Sequence, residues 1–219
     1  MPFQAVVFDL DGTLLDTLAD IGNSANRVLE EFGFPAHPLD RYRHFVGEGV
    51  ARLFERALPV ESVRPERIAQ CVDAFRRVYR EHWNDTTRPY PGVPELLAEL
   101  TDRGLRLAVL SNKPDEFTRL CIDRHFPGRE FAAVVGQQAG LPCKPDPAGA
   151  LLIARRMAIP AEQFAYLGDS AVDMQTARAA GMHAVGAAWG FRSVDELHAG
   201  GAERIIERPE ELIAVIDVH

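Results

Sequence analysis

The sequence predicts an α/β protein in which helices cover both faces of a parallel β-sheet and an all-helical segment is inserted after the first strand. Three observations support this prediction. Short apolar runs alternate with amphipathic stretches over most of the chain, residues 17–88 contain only helical patterns, and polar residues gather where strands end. The length of 219 residues is enough for a core and a smaller module.

The first strand is predicted over Ala5–Asp9, where four apolar residues precede an aspartate. Further short apolar runs predict four more strands: Leu105–Ser111, Ala132–Val135, Phe164–Gly168 and Ala184–Ala187. Because helical patterns separate these strands, we expect the strands to run parallel, with helices on both sides of the sheet.

Helices between the strands are predicted from apolar spacing and from residues that start or stop a helix. They are Pro94–Arg103, Asp146–Met157 and Ala171–Ala180. Glycine follows the first and the third, and glycine commonly ends a helix. Asp146 is predicted to cap the second helix, with Pro147 in its first turn.

The inserted segment carries two long helical patterns, in which apolar residues recur every three or four positions over residues 18–32 and 68–82. We expect this segment to lie above the carboxyl edge of the sheet, where open α/β folds bind ligands. The predicted domains are a core of residues 1–15 and 89–219 and a helical module of residues 16–88.

The composition is typical of a soluble globular protein, with 47% hydrophobic and 26% charged residues. The formal net charge of −8 argues against a nucleic acid or an anionic membrane as the partner, because both attract basic surfaces. No apolar run approaches membrane-spanning length, and the N-terminus lacks the features of a signal peptide. Three widely spaced cysteines suggest reduced thiols, so we expect a cytoplasmic protein.

Two carboxylates, Asp9 and Asp11, stand at the end of the first predicted strand. Like charges this close repel each other, so the arrangement requires an opposite charge. Three further polar segments lie near other strand ends: Ser111-Asn112-Lys113, Lys144-Pro145 and Gly168-Asp169-Ser170-Ala171-Val172-Asp173. Because the carboxyl ends of parallel strands meet at one edge of the sheet, we expect these segments to converge.

The converging side chains combine carboxylates with lysine and hydroxyl groups. Carboxylates without histidine or thiolate select a hard cation, most simply Mg²⁺, which would keep Asp9 and Asp169 ionised side by side. Lysine, hydroxyl and backbone N–H groups form a typical phosphate-binding set. The cation and Lys144 would therefore attract an anionic substrate into an otherwise acidic protein.

The segments "DLDGTLLDT", "SNKP", "KPDP" and "GDSAVDMQTARAAGM" occur in this order along the chain. They resemble the four motifs of the haloacid-dehalogenase (HAD) superfamily, which are D-x-D-x-T, S or T, K, and G-D-x-x-x-D. Within the superfamily, they are most similar to the phosphoglycolate-phosphatase-like group. The resemblance spans the whole chain, and it implies a Rossmann-like core with an α-helical cap inserted after the first motif.

The resemblance assigns a role to each motif residue. Asp9 would attack phosphorus and form an aspartyl-phosphate, and Asp11 would protonate the leaving oxygen and then activate water. Mg²⁺ would be held by the carboxylates of Asp9 and Asp169 and by the backbone carbonyl of Asp11. Asp173 would act through waters or hold Lys144. The phosphate-binding residues would be Thr13, Ser111, Asn112 and Lys144.

The expected function is a Mg²⁺-dependent phosphatase for a small phosphorylated metabolite, with 2-phosphoglycolate as the best single candidate. The aspartate at position 11 favours phosphate esters, because the dehalogenase and phosphonate-cleaving branches lack it. Alternatives are a sugar phosphomutase, a phosphatase for a sugar phosphate, amino-sugar phosphate or pyrophosphate, and a non-enzymatic binding protein on the same scaffold. Either a monomer or a homodimer is compatible with the sequence.

The segment "FVGEGVARL" in the insertion is a candidate for substrate specificity. By resemblance, Gly47, Glu48 and Gly49 lie over the active site, and Arg52 could pair with a substrate carboxylate if its helix points inward. Alternatively, the two glycines merely shape a turn between helices. Two other ordinary interpretations are a solvated Lys113, which we favour, and an exposed Asp173 stabilised by a helix dipole.

Overall fold

The computed structural model describes residues 2–218. Its strands are β1 (Ala5–Phe8), β2 (Leu15–Asp16), β3 (Arg88–Pro89), β4 (Arg106–Pro114), β5 (Ala133–Gln137), β6 (Phe164–Gly168), β7 (His183–Ala187) and β8 (Arg204–Ile206). Its helices are α1 (Leu18–Glu31), α2 (Leu39–Phe45), α3 (Val50–Ala57), α4 (Pro65–His82), α5 (Val93–Asp102), α6 (Asp115–His125), α7 (Ala148–Met157), α8 (Ala171–Ala180), α9 (Val194–Gly200) and α10 (Glu211–Asp217).

Six of the strands form one parallel sheet in the order β5-β4-β1-β6-β7-β8. The first strand lies inside it, and Val7 stands between Ala108 of β4 and Tyr166 of β6. The predicted α/β class is therefore confirmed. This order also places the carboxyl ends of β4 and β6 on either side of the end of β1.

Helices pack on both faces of this sheet. Val6 and Phe8 of β1 belong to the apolar core on one face, whereas Ala5 and Val7 belong to the core on the other. Successive side chains of a strand point to opposite faces, so both alternating sets of β1 are buried. This double burial explains why β1 is a continuous apolar run in the sequence.

The helices α1 to α4 form the inserted segment, and its apolar core includes Val28, Phe54 and Phe75. Phe117 and Phe191, from outside the insertion, belong to the same core. Two short antiparallel strands, β2 and β3, connect it to the sheet. We propose that the domains divide at these strands, with residues 16–88 as the helical module.

Asp20 joins the two ends of the insertion. Its buried carboxylate accepts hydrogen bonds from the backbone N–H and the hydroxyl of both Thr86 and Thr87, at 2.6 to 3.0 Å. Burial alone would raise the pKa of Asp20, but these hydrogen bonds outweigh it and lower the pKa, so the carboxylate stays ionised. The contact fixes the start of α1 against the chain that returns to β3.

One predicted helix start is wrong. Helix α7 begins at Ala148, with Pro147 at its N-cap position, rather than with Asp146 as the cap. The Asp146 carboxylate accepts a bond from the Ala148 N–H at 2.8 Å, which closes a local turn just before the helix. Helices α2, α9 and α10, strand β8 and the β2–β3 pair are further elements that the sequence pattern does not predict.

None of the helices within residues 2–218 is long and apolar enough to cross a membrane.

Candidate active site

The loop after β1 places Asp9 and Asp11 at the edge of the sheet. The Asp9 N–H bonds to the Leu167 carbonyl at 2.9 Å, which continues the pairing of β1 with β6. The chain then turns sharply at Gly12, whose φ of +91° is in the region that favours glycine. Both aspartates line the same cavity as a result.

Lys144 lies behind Asp9 and is almost completely buried. Its ammonium nitrogen lies 2.7 Å from Asp9 Oδ1, 2.6 Å from Asp173 Oδ1 and 3.2 Å from the Leu110 carbonyl oxygen. These three partners match the three N–H groups of an ammonium. The two carboxylates hold the pKa of Lys144 well above its usual range, against the lowering effect of burial.

Asp173 is the buried positioning group for this lysine. Helix α8 begins after Ser170, and the Ser170 N–H and hydroxyl donate to Asp173 Oδ2 at 3.1 and 2.5 Å. The Asp173 side chain is fully buried, so the interpretation as an exposed first-turn acid is wrong. Of the two roles that the sequence left open, holding Lys144 is the one for which the structure provides a direct contact.

Asp169 lies where glycines leave room for its carboxylate. Its Oδ2 accepts a bond from the Phe191 N–H at 2.6 Å. A Cβ atom added at Gly12 or at Gly190 would lie 2.2 Å from an Asp169 atom, so neither position tolerates a side chain without displacing the carboxylate. The absence of a side chain at both glycines therefore leaves the space that the Asp169 carboxylate occupies.

Three carboxylate oxygens, one each from Asp9, Asp169 and Asp173, lie within 4.8 Å of one another. Burial raises the pKa of Asp9 to about 7, with a further rise from the Asp173 charge and a partial offset by Lys144. Burial, together with the Asp9 and Asp173 charges, holds the pKa of Asp169 well above its usual range. A divalent cation would reverse both effects, and these hard oxygen donors suit Mg²⁺.

Lys113 contradicts its sequence interpretation as a solvated side chain. It is buried, and its ammonium nitrogen lies 2.9 Å from Asp11 Oδ1 and 2.8 Å from the Tyr79 hydroxyl. The same nitrogen lies 4.8 Å from the centre of the Tyr79 ring. The sequence predicts this strand only as far as Ser111, whereas β4 continues to Pro114 and stays buried up to Lys113.

Ser111 and Asn112 precede Lys113 on β4. The Asn112 amide donates to the carbonyls of Gly47 and Lys144 at 3.0 Å, and its carbonyl accepts from the Lys144 N–H at 2.8 Å. This side chain therefore ties the insertion and the Lys144 loop to the sheet. The Ser111 hydroxyl accepts from the Lys113 N–H at 3.2 Å and lines the cavity.

The cavity encloses about 510 Å³, counted with its open mouth. Its polar floor consists of Asp9, Asp11, Ser111, Asn112 and Lys113. Its other wall comes from the insertion and is mostly apolar, with Ile21, Val46, Gly47, Gly49, Val50, Leu53, Phe75 and Tyr79. Gly47 and Gly49 thus reach the cavity, both with positive φ, at +112° and +87°.

Three predicted site residues, Arg52, Glu48 and Thr13, are not among the described residues that line the cavity. Arg52 is 60% exposed and pairs with Glu55 on α3, so the inward orientation that its predicted role requires is not observed. Glu48 pairs with Arg56. Thr13 is fully buried beside the loop, its carbonyl accepts from the Trp189 indole at 3.0 Å, and its hydroxyl has no hydrogen-bond partner within residues 2–218.

Comparison with known proteins agrees with this geometry. The sequence profile of the family described as haloacid dehalogenase-like hydrolase matches residues 6–187. A phosphoglycolate phosphatase of Pseudomonas savastanoi pv. phaseolicola is 35% identical over 192 residues, covering 86% of this chain and 70% of that protein. A phosphoglycolate phosphatase of Nitrosospira multiformis is 33% identical over 210 residues, covering 94% of this chain and 92% of that protein.

A solved structure from Lactobacillus delbrueckii subsp. bulgaricus is 31% identical, has a TM-score of 0.90, and is covered over 99% of both chains. The resemblance inferred from the four motifs is confirmed by these matches. The chain therefore belongs to the haloacid dehalogenase-like hydrolases, and within them it is a phosphoric monoester hydrolase similar to phosphoglycolate phosphatases.

Proposed function

We propose that this chain is a Mg²⁺-dependent phosphatase for small phosphorylated carboxylic acids, with 2-phosphoglycolate as the best candidate. The observation that carries the proposal is the floor of the cavity. There, the Asp9 carboxylate is held by a buried lysine, and a second acid, Asp11, lies beside it at the same cavity. The phosphatases of Pseudomonas and Nitrosospira described above support the choice of substrate.

Asp9 is the proposed nucleophile. Lys144 binds Asp9 Oδ1, which leaves Oδ2 to attack the phosphorus of the substrate. The new O–P bond would form as the bond to the leaving oxygen breaks, giving an aspartyl-phosphate that water then hydrolyses. The Lys144 ammonium and the backbone N–H groups of residues 111–113 would stabilise the charge of the transferring phosphoryl group.

The metal would be held by the carboxylates of Asp9 and Asp169 and by the Asp11 carbonyl. We exclude Asp173 from this set because both of its oxygens accept hydrogen bonds, from Lys144 and from Ser170. When bound, Mg²⁺ supplies positive charge that offsets the repulsion between the carboxylates and the phosphate.

The insertion would close the cavity over a small substrate. The mostly apolar wall that the insertion places over the polar floor would admit a compact molecule and exclude a protein or a polynucleotide. A reducing, cytoplasmic environment suits the three free cysteines.

A panel of phosphate esters tests this function. We expect two- and three-carbon phosphorylated acids to exceed hexose phosphates in kcat/KM, and we expect EDTA to stop phosphate release until Mg²⁺ is restored. The measurement is steady-state release of inorganic phosphate from the purified protein. If hexose or amino-sugar phosphates were preferred by tenfold, the small-acid substrate would be wrong, although the phosphatase reaction would stand.

Replacement of Asp11 by asparagine tests leaving-group protonation. The backbone carbonyl remains, but the side chain can no longer donate a proton, so we expect kcat for 2-phosphoglycolate to fall roughly 100-fold or more. With p-nitrophenyl phosphate, whose leaving group hardly needs a proton, the initial burst of p-nitrophenol should change much less. This burst reports the first chemical step alone, and an equal loss for both substrates would contradict the proposed acid role.

A further inference from the structure

We propose that Lys113 and Tyr79 form the binding subsite for a carboxylate on the leaving group of the substrate. The subsite would select acids whose carboxylate is attached to the carbon that bears the phosphate. This inference rests on the proposed phosphatase function. It attributes the selection of the substrate class to two residues that line the cavity.

Lys113 and Tyr79 both supply hydrogen-bond donors to the cavity. An ammonium has three donors, and the hydrogen bonds of Lys113 within residues 2–218 are to Asp11 Oδ1 and the Tyr79 hydroxyl. The Tyr79 oxygen accepts the Lys113 bond, which leaves the hydroxyl hydrogen for another acceptor. Both residues line the cavity. Two adjacent donors match the two oxygens of one carboxylate.

Lys113 also brings a positive charge to the cavity. Among the described residues that line the cavity, Lys113 is the only cation. Arg52 is directed to solvent, and Lys144 lies behind Asp9 and is not among the described residues that line the cavity. The apolar residues on the insertion side of the cavity lower the local dielectric, which strengthens the attraction between Lys113 and an anion.

The Lys113 ammonium lies next to the position proposed for the leaving oxygen of the substrate. In 2-phosphoglycolate, a single carbon separates the leaving oxygen from the carboxylate. Asp11 is the proposed proton donor to that oxygen, and Lys113 lies 2.9 Å from the Asp11 carboxylate. A substrate whose leaving oxygen meets Asp11 therefore presents its carboxylate within reach of the neighbouring ammonium.

The Tyr79 ring is packed between two aromatic side chains. It stacks on Phe75 at 5.1 Å between centroids and meets Phe117 edge-on at 5.0 Å. Phe75 belongs to the insertion, whereas Phe117 belongs to the sheet domain, so the ring is held from both sides. The hydroxyl is thus fixed in place before substrate binds, which reduces the entropy lost on binding.

The experiment compares two substrates of similar size, 2-phosphoglycolate and 2-hydroxyethyl phosphate, of which only the first carries a carboxylate. The readout is the ratio of their kcat/KM values. We expect this ratio to fall about tenfold in Tyr79→Phe, which loses one hydrogen bond to a charged group, and further in Lys113→Met. Arg76→Met removes an exposed cation from the same helix, α4, and should leave the ratio unchanged.

The ratio also separates the two hypotheses. An active Tyr79→Phe enzyme with an unchanged ratio would overturn the subsite, and this variant decides the matter if Lys113→Met does not fold. If the native enzyme released phosphate from no ester, the proposed function would fail instead. The subsite would then be tested by calorimetry, as the Kd of 2-phosphoglycolate for Asp9→Asn and for the double variant that also carries Tyr79→Phe. A tenfold weaker affinity of the double variant would support the subsite, and equal Kd values would refute it.

Discussion

Asp9→Asn should reduce phosphate release to background while the protein remains folded. The asparagine side chain keeps the shape of the aspartate, but it lacks the negative charge needed to attack phosphorus and to hold the metal. The measurement is phosphate release from 2-phosphoglycolate with Mg²⁺ present, alongside circular dichroism of the variant. More than a few per cent of residual activity would remove Asp9 from the nucleophile role.

The stability of this variant gives a second, independent measurement. The pKa of Asp9 rises from 3.8 to about 7 on folding, so the folded state disfavours its ionised form. Without metal, this effect should lower the free energy of unfolding of the native protein as the pH rises from about 4 to about 7. In Asp9→Asn that contribution disappears. The free energy of unfolding by urea in EDTA should therefore differ less between pH 5 and pH 8 for this variant than for the native protein.

Asp16→Asn is a suitable control for both measurements. Asp16 lies in the same loop region, on β2, and its carboxylate pairs with the exposed Arg88 at 3.5 Å. Exposed ion pairs of this kind contribute little to stability. We therefore expect this variant to retain both the activity and the pH dependence of the native protein.

The sheet and the floor of the site, apart from Lys113, could be predicted because their signals are local. The apolar run of β1 predicts a buried strand. The motif residues directly follow predicted strands, so they are expected at the carboxyl edge of a parallel sheet. For Asp173, the local sequence pattern does not determine whether the side chain is buried or exposed. Its sequence position fits an exposed first-turn acid equally well, and only the packing of Lys144 against α8 distinguishes the two.

Lys113 could not be placed from the sequence, because its environment comes from distant segments. Asp11 is 102 positions away from it and Tyr79 is 34 positions away, on a helix of the insertion. A lysine at the end of a strand is usually solvated, and that general tendency gave the wrong prediction. For Arg52 the sequence suggested a contact with substrate, whereas its side chain is exposed. Its direction depends on how α3 begins after Gly49 and on the local pair with Glu55.

Gly12→Ala should cause a second large loss of activity, through Asp169 rather than through any catalytic group of its own. An added Cβ atom would lie 2.2 Å from Asp169 Oδ2, and the φ of +91° at this position already disfavours alanine. The loop and the carboxylate must therefore move apart. Because a displacement of about 1 Å in an active site can cost 100-fold in rate, we expect at least that loss in kcat/KM for 2-phosphoglycolate.

Gly33→Ala separates this steric effect from backbone strain. Gly33 follows α1 with a φ of +77°, and no atom lies within 4 Å of the Cβ that alanine would add. Both variants should lose about 1 kcal/mol of unfolding free energy from the left-handed backbone, as measured by urea titration. Only Gly12→Ala should also lose activity, since only its new methyl group meets Asp169. If Gly12→Ala were merely less stable and fully active in buffer, the placement of Asp169 by these glycines would be irrelevant to catalysis.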